Sequence, residues 1–520
     1  MRLYNLSFPF FNSEEARVAS RGYSIATSGR DELGRLFPLV FNSTIDYQLP
    51  VVSYLTSLGI LFFGRNDLGV RIPFILVSFL IVILTYKIAE IFSKEKEFRL
   101  FAALSVGLAP GFIFFSKIPN EFIVLSFSIL LIFYLLIKKK INILILSLAM
   151  IFALATAKFA WLIIAPFVIF SLIFFQINLA RKIKIKIIIT SLLLTFAAVL
   201  IFLQVPQATR SFLENDFSIS KDTNTKVILD RLRGQGLEAG WPNFIEKIIF
   251  NKLWVINLSS LNWLSHLEPA VLFGGFDESG KDGYISMGAF PKITMFPFII
   301  GLIFIVRSND RRLKVLLFLP FILTFPILFI YPRYSYGSIL TMLPFVALII
   351  SVGLVRLNKL LKISLIVIMI TEVFINIYYV IPDIKSSNLT RPGWIKSLVE
   401  ESYNLSLNNK IAISDNLVSD IGPYLSWLSP KSIQGIPKDI PFPYKFRETK
   451  FPNITILGTD DNTFYTCGLE KPSFIFASKR DYEKLQKWLN IDAEKPIEKI
   501  FTDSLNNQTA YLIHLNKCLN

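Results

Sequence analysis

The chain has 520 residues, of which 53% are hydrophobic and 49 are phenylalanine, and its mean hydropathy is +0.53. An ordinary soluble globular protein is excluded, because it is less apolar and polar helix faces interrupt its apolar segments. The net charge of +16 does not indicate a nucleic-acid partner, since much of the excess lies in gaps between apolar stretches, where anionic lipids attract it. The two cysteines and two histidines nearly exclude a Cys/His metal cluster, which needs about four such ligands.

The first predicted element is a short outer segment over residues 1–69. No cleavable signal begins it, because Met1 to Phe11 is too short and too mixed for an apolar signal core. The apolar run Pro50 to Phe63 has about fourteen residues, fewer than the roughly twenty that cross the hydrocarbon. It therefore predicts a helix that lies along the membrane surface.

About ten membrane-spanning helices follow, each predicted from an apolar stretch long enough to cross when its polar ends reach the headgroups. They cover residues 70–93, 100–115, 121–137, 141–157, 159–176, 187–204, 292–306, 315–331, 338–355 and 363–381. Because this number is even, both ends of the chain are expected on the same side of the membrane.

Clusters of lysine and arginine occupy every second gap between the apolar stretches. They comprise Lys94, Lys96 and Arg99; Lys138, Lys139 and Lys140; Arg181, Lys182, Lys184 and Lys186; Arg307, Arg311, Arg312 and Lys314; and Arg356, Lys359 and Lys362. Short loops rich in these residues stay in the cytoplasm. The alternation predicts a multi-pass plasma-membrane protein with residues 1–69, the long loop 205–291 and the C-terminal tail outside.

The tail from about residue 385 has shorter apolar runs that alternate with polar helical stretches. Strands are predicted at Lys410–Ser414, Ile454–Leu457, Ser473–Ala477 and Ala510–Leu515, and a helix at Asp481–Leu489. The predicted fold is therefore an all-α membrane bundle over residues 1–384 and a small extracytoplasmic α/β domain over residues 385–520. Cys467 and Cys518 both lie in this tail, where two free thiols are favoured over a disulfide.

Acidic residues are concentrated in the first outer segment, at Glu14 and Glu15, at Asp31 and Glu32, and at Asp46. A carboxylate near a low-dielectric boundary can act as a general base, because its pKa can rise toward the working pH. A solvated loop with helix caps explains the same residues and is the commoner case.

Two isolated charges border the outer ends of predicted spans. Glu121 closes the hairpin Ser116–Glu121, and it either faces a polar cavity or marks the aqueous end of its helix. Lys158 separates two apolar runs on the side where positive charge is scarce. Its ammonium either binds a lipid phosphate or extends to water from a helix end, and both interpretations stay open.

Two further outer loops carry candidate substrate contacts. Arg333 and Tyr334 lie in the hairpin Tyr331–Gly337, and arginine beside interfacial aromatics suits a phosphodiester headgroup, although tyrosine belts are general in membrane proteins. His266 precedes the glycine-rich run Phe273–Tyr284, and a lone histidine is more often structural. The run matches no phosphate-loop pattern and indicates a flexible loop or lid on the acceptor side.

Several short motifs occur in a fixed order between residues 14 and 269. They are Glu14-Glu15-Ala16, Gly29-Arg30-Asp31-Glu32-Leu33-Gly34, Asp46-Tyr47-Gln48-Leu49-Pro50, Phe63-Gly64, Val70-Arg71-Ile72-Pro73, Ala109-Pro110-Gly111-Phe112 and Trp263-Leu264-Ser265-His266-Leu267-Glu268-Pro269. This order resembles the polyprenol-phosphate-sugar-dependent glycosyltransferases of the C superfamily, and most of all the bacterial protein O-mannosyltransferase and aminoarabinose-transferase branch.

The resemblance implies an enzyme that moves a sugar from a polyprenyl-phosphate carrier to an acceptor hydroxyl on the outer side, with inversion. The implied site residues are Glu14 and Glu15 as general base, with Asp46, Glu121, Lys158, His266, Arg333 and Tyr334 at the donor phosphate and substrate. No cofactor is required and no metal ligand is assigned, although some relatives use a divalent cation at the carboxylates. The sugar stays undecided, as does the acceptor, which is a protein, a lipid or a glycan.

The sequence departs from the family pattern at three places. The acidic pair begins with Glu14 where Asp is usual, and Gln48 and Leu49 stand where Lys and Pro are expected, so that a basic donor contact is lost. The acidic residue of the second outer hairpin aligns with Asn120 or Glu121, of which only Glu121 carries a charge. A membrane helix expected before the first outer loop is absent, which predicts a truncated or misstarted chain.

Two other functions compete with a transferase. A transporter or lipid flippase would place ionisable residues in mid-span and show broken helices in paired halves. A membrane-anchored scaffold that binds cell-wall polymer through its tail would not need Glu14, Glu15 or Lys158.

Overall fold

The fold is taken from a computed structural model of the chain. It describes residues 11–31, 34–42, 47–138, 141–175, 179–205, 223–238, 242, 244, 253–274, 288–328, 336–375, 393–414, 417, 421–428, 446–448, 453–457, 473–483, 497–502 and 508–514.

Each predicted span contains an α-helix. In chain order the helices up to residue 375 are α1 Ser13–Ser28, α2 Pro50–Phe63, α3 Asp67–Phe92, α4 Lys96–Gly107, α5 Pro110–Phe115, α6 Glu121–Ile137, α7 Ile143–Leu154, α8 Phe159–Phe175, α9 Arg181–Leu203, α10 Thr223–Glu238, α11 Trp254–Ser265, α12 Met295–Arg307, α13 Arg311–Thr324, α14 Tyr336–Ile339, α15 Leu343–Arg356 and α16 Lys359–Ile375. The span predicted at 100–115 is broken between α4 and α5, because Pro110 forces Ala109 into an extended conformation.

Some of these helices are long enough to span a membrane. Among the described residues, α3 and α9 are long and apolar enough to cross a membrane by length and composition. The helices α6, α7, α8 and α15 are apolar but shorter. The prediction of a mostly helical bundle is therefore confirmed, and the number of spans stays a prediction.

The helix α2 has the reverse of a soluble helix's polarity. Ser53 and Thr56 are buried, whereas Leu61 is exposed and Phe62 is 81% exposed. The same holds for the exposed apolar face of α9, which includes Phe196. A polar interior and an apolar exterior are typical of a surface that lipid covers.

The described residues of the basic clusters lie together at one end of the bundle, called here the basic end. The contacts that join them are Lys362 Nζ with Glu97 Oε2 at 2.7 Å, Arg356 Cζ 3.9 Å from the Phe304 ring, Arg311 Cζ 5.4 Å from the Phe174 ring, and ring contacts of Phe175 with Phe92 and Phe133. Loops with one sign of charge at one end are the arrangement that the positive-inside rule requires.

The opposite end, called here the site end, is formed by α1, the start of α2 and the hairpins between spans. Its contacts are the hydrogen bond from Val51 N to Ala155 O at 3.4 Å, the edge contact of Phe122 with Phe159 at 5.7 Å, and the hydrogen bonds from Gly111 N to Ala289 O at 3.2 Å and from Lys292 N to Glu372 Oε1 at 2.6 Å. The loops without basic clusters therefore meet at one end, away from the basic end.

The C-terminal part forms a six-stranded mixed sheet with the strand order β4-β5-β3-β6-β8-β7. After the short pair β1 Phe41–Asn42 and β2 Tyr47–Gln48, its strands are β3 Ile411–Ser414, β4 Phe446–Glu448, β5 Ile454–Leu457, β6 Phe474–Ser478, β7 Ile497–Thr502 and β8 Gln508–His514. The central strand β3 runs parallel to β5 and β6, and the other pairs are antiparallel. Within the described residues of this part, the helix α17 spans Ile395–Ser406 and the helix α18 spans Gly422–Leu428.

All four strands predicted in the tail are confirmed as β3, β5, β6 and β8. The sequence did not predict β4 or β7, and most of the β7 positions are exposed or partly exposed, so no apolar pattern marks it. Residues 479–483 are helical, and the rest of the helix predicted at Asp481–Leu489 lies outside the described residues, as do Cys467 and Cys518.

Candidate functional site

The carboxylates Glu14 and Glu15 lie in the first turn of α1. The side chain of Asn12 caps this helix by accepting a hydrogen bond from the backbone N of Glu15 at 2.8 Å. Successive helical residues point about 100° apart. Glu14 is accordingly exposed, whereas Glu15 is only 3% exposed.

Two buried cations lie close together near the start of the bundle. Arg71, in the second turn of α3, is fully buried, and Lys117, in the hairpin before α6, is 4% exposed. Burial and the neighbouring charge of Arg71 lower the pKa of Lys117 to about 8. Two buried positive charges repel each other because little water screens them, and an anion bound between them stabilises both charged side chains.

Close packing of α2 against α3 brings Arg71 to this position. A side chain at Gly69 would meet the backbone oxygen of Gly64 and would lie 3.2 Å from the Cα of Ile60. Glycine at this position therefore lets the two helices approach, and the approach places the first turns of α3 beside α2.

A stripe of charged residues runs along α1. Glu14, Arg17 and Arg21 are spaced by three and four residues and so lie on one face of the helix. Both arginines are buried. The Nη1 of Arg21 donates to Oε1 of Gln48 at 2.8 Å, and its Cζ lies 5.5 Å from the Phe41 ring. A guanidinium group thus contacts position 48, where the family pattern has a basic residue.

Glu121 and Lys158 lie at neighbouring helix starts of the site end. Glu121 is the first residue of α6, where the Asn120 side chain caps the helix by accepting from Phe122 N at 2.7 Å. Lys158 directly precedes α8, and its Nζ lies 5.8 Å from the Phe202 ring. Both side chains are partly exposed. The structure therefore brings this predicted pair to the end that holds α1.

His266 is buried at the end of α11 in the long loop. Its Nδ1 lies 2.7 Å from the carbonyl oxygen of Asn262. A carbonyl oxygen only accepts, so Nδ1 donates the proton and the second ring nitrogen, Nε2, is the acceptor. Burial lowers the pKa of His266, which keeps the ring neutral near pH 7. Its role in substrate binding stays a prediction.

Asp46, Arg333 and Tyr334 lie outside the described residues. The described chain resumes after Arg333 and Tyr334 at α14, where a side chain at Gly337 would clash with the Phe122 ring. Among the described residues, no group of three His, Cys, Asp or Glu side chains could hold a metal ion.

Sequence reasoning did not single out Arg17, Arg21, Arg71 or Lys117 as site residues. Lys117 could have been found by the argument that identified Lys158, because it too is a basic residue in an outer hairpin. The helix α1 was also missed, although Asn12 and Glu15 have the three-residue spacing of a capping box.

No protein-family model matches the sequence, and no curated protein matches it. Among solved structures, ArnT from Cupriavidus metallidurans bound to undecaprenyl phosphate has a TM-score of 0.51 and 12% identity, covering 96% of this chain and 93% of its own. The same protein in the apo state has a TM-score of 0.49 and 11% identity, covering 96% and 92%. The apo oligosaccharyltransferase of Archaeoglobus fulgidus has a TM-score of 0.43 and 13% identity, covering 84% and 62%.

Over nearly its whole length, the chain therefore has the fold of the ArnT structure with undecaprenyl phosphate. This agrees with the fold that the sequence resemblance implied, and it is a likeness of the fold alone. The identity is too low to carry residue roles from that structure to this chain.

Proposed function

We propose that this protein is an integral-membrane glycosyltransferase that moves a sugar from a polyprenyl-phosphate carrier to an acceptor hydroxyl on the outer side of the plasma membrane. The observation that carries the proposal is that the carboxylates of α1 and the buried cations Arg71 and Lys117 lie at the site end. A base and a phosphate-binding group are the two parts that such a transfer needs. The fold shared with ArnT supports the same class of reaction.

The reaction is a single displacement at the anomeric carbon of the donor sugar. The acceptor oxygen forms a bond to that carbon while the bond from the carbon to the phosphate oxygen breaks. The electron pair leaves with the polyprenyl phosphate, and the hydroxyl proton passes to a carboxylate. Attack from the face opposite the leaving group inverts the anomeric centre.

Glu14 is the carboxylate that the geometry supports as the base. It is exposed at the start of α1, where an acceptor can approach, whereas Glu15 is buried beside it. Arg71, Lys117 and Lys158 then bind the donor phosphate and stabilise the negative charge that it gains. Arg333 and Tyr334, from the predicted hairpin 331–337, keep their predicted role at the same phosphate.

A transporter or lipid flippase is less well supported. The buried cations assigned to the donor phosphate lie near a bundle end rather than at mid-span, because Arg71 is in the second turn of α3 and Lys117 is in a hairpin. A scaffold protein would need neither cation. The protein, lipid or glycan nature of the acceptor and the use of a divalent cation stay open in the proposal.

The test is sugar transfer by the full chain in vesicles. The donors are short-chain polyprenyl-phosphate mannose and polyprenyl-phosphate aminoarabinose, the acceptors come from membranes of the expressing cells, and the released polyprenyl phosphate is measured. Replacing the base by Glu14→Gln should lower kcat by about 10²–10⁴-fold. The matched control is Glu95→Gln, because Glu95 is exposed at the basic end, and it should leave kcat unchanged. Full transfer by Glu14→Gln, Glu15→Gln and Lys158→Gln alike would refute the mechanism.

A further inference from the structure

The C-terminal α/β domain contacts Phe11, which precedes the cap residue of the candidate catalytic helix α1. The hydroxyl of Tyr424, on α18, donates to the backbone oxygen of Phe11 at 3.1 Å. The ring of Trp427, one turn further along α18, packs edge to face with the Phe11 ring at 6.2 Å. All three side chains are buried in one apolar cluster that also contains Ala16 and Ala19 of α1.

Phe11 is directly followed by Asn12, the cap of α1. Since the Asn12 side chain holds the backbone N of Glu15, the position of Phe11 sets the position of the first helical turn, which carries Glu14 and Glu15. Phe11 also lies against one of the buried cations, because the Cζ of Arg71 is 4.7 Å from its ring centre. A movement of Phe11 therefore changes both the carboxylates and the neighbouring cation.

Arg65, between α2 and α3, makes a second link from the domain to α1. Its Nη2 donates to the backbone oxygens of Ser426 at 3.0 Å and of Trp427 at 2.6 Å. Carbonyls in the last turn of a helix lack partners within the helix and favour a cation. The guanidinium carbon also lies 5.1 Å from the Tyr23 ring of α1 and 5.5 Å from the Trp427 ring. Arg65 thus joins the bundle, α1 and α18.

We propose that the C-terminal domain is a positioning part of the transfer site: Tyr424 and Trp427 hold Phe11, and through it the first turn of α1, in the conformation that the reaction needs. This inference rests on the proposed function. A misplacement of a catalytic group by about 1 Å can lower the rate by about 10²-fold, so a domain far from the reacting atoms can control the rate.

The test uses the full chain with Trp427→Ala, with the milder Tyr424→Phe, and with Tyr511→Phe as the matched control. The Tyr511 hydroxyl donates to Gln508 of the same strand, and Tyr511 belongs to an apolar cluster separate from that of Phe11 and Trp427. Trp427→Ala should lower kcat by about 10–100-fold and change the donor KM by less than about threefold. Tyr424→Phe should lower kcat by a few-fold, and Tyr511→Phe should match the wild type.

Combination with Glu14→Gln separates positioning from general destabilisation. If Trp427 acts through the base, its replacement matters little once the base is gone. In a protein that already carries Glu14→Gln, Trp427→Ala should therefore lower kcat by less than a further factor of about three. Losses that multiply in full would overturn the inference, as would an unchanged kcat in both variants of α18.

Amide hydrogen exchange over residues 12–20 gives a readout that needs no activity. Trp427→Ala should speed the exchange of these amides, and Tyr511→Phe should not. Equal exchange in Trp427→Ala and the wild type would overturn the inference. Absence of transfer by the wild-type protein, together with faster exchange in Trp427→Ala, would instead overturn the proposed function.

Discussion

The lowered pKa of Lys117 predicts how donor use depends on pH. With a pKa of about 8, the protonated fraction of Lys117 falls from about nine-tenths at pH 7 to about one-tenth at pH 9. If the ammonium form binds the donor phosphate, kcat/KM for the donor should fall about tenfold over this range. The donor is a phosphodiester and does not titrate there.

Bound donor changes this titration in a defined direction. A phosphate anion beside Lys117 favours its charged form and raises its pKa, so kcat should depend less on pH than kcat/KM does. Replacement by Lys117→Arg keeps the charge but removes the titration, because arginine stays protonated throughout this range. In that variant the fall between pH 7 and 9 should disappear.

The same pKa sets the pH dependence of stability without donor. The folded-state pKa of Lys117 lies below its ordinary value of 10.5. Between these two values the unfolded chain binds more protons, so this residue makes stability rise with pH from about 8 to about 10.5. The control for Lys117→Arg is Lys182→Arg, which makes the same exchange at an exposed position of the basic end.

The kcat/KM for the donor should be measured from about pH 6.5 to about pH 9.5 with the wild type, with Lys117→Arg and with the control Lys182→Arg. A flat profile in the wild type would refute the role of Lys117. An unchanged fall in Lys117→Arg would assign the titration to another group.

Three further predictions concern the frame around the site. Gly69→Ala should lower the yield of folded protein, because its side chain would clash with the backbone of Gly64 where α2 meets α3, and overpacking costs about 1–3 kcal/mol; size-exclusion chromatography checks it, and wild-type yield would contradict it. Asp481→Asn should destabilise the C-terminal domain by about 1–3 kcal/mol, since the buried Asp481 carboxylate accepts from Ser414 Oγ at 2.5 Å and Ser478 Oγ at 2.7 Å; denaturant unfolding of the full chain measures it. Lys362→Ala should change stability by at most about 1 kcal/mol, because its partner Glu97 is largely exposed; a larger loss would show that the basic end contributes more than surface pairs do.

Much of the bundle was predictable because its signals are local. Apolar stretches and helix caps such as Asn120 and Asn142 mark the helices, and both occur in the sequence beside the element that they define. The strands β3, β5, β6 and β8 were predictable for the same reason. The strand β7 was not, because its exposure follows no alternation and its pairing with β8 is irregular.

The site was less predictable because it depends on contacts distant in the chain. Glu121 and Lys158 were found as isolated charges, and the structure places both at the site end. The neighbourhood of Arg71 and Lys117 arises only when α3 packs beside α6, and no sequence spacing encodes it. The contact of Phe11 with Trp427 joins residues that are far apart in the chain and has no local signal either.

Labelling from one side of the membrane tests the central claim most directly. Cysteines would be placed, one at a time, at exposed positions of the site end and tail (Ser28, Glu268 and Asn408) and of the basic end (Lys94, Lys182 and Arg312), with Cys467 and Cys518 changed to serine. In intact cells, a membrane-impermeant maleimide should label the first three and should label the second three only after permeabilisation. Labelling of Ser28→Cys and Lys182→Cys from the same side would contradict the account.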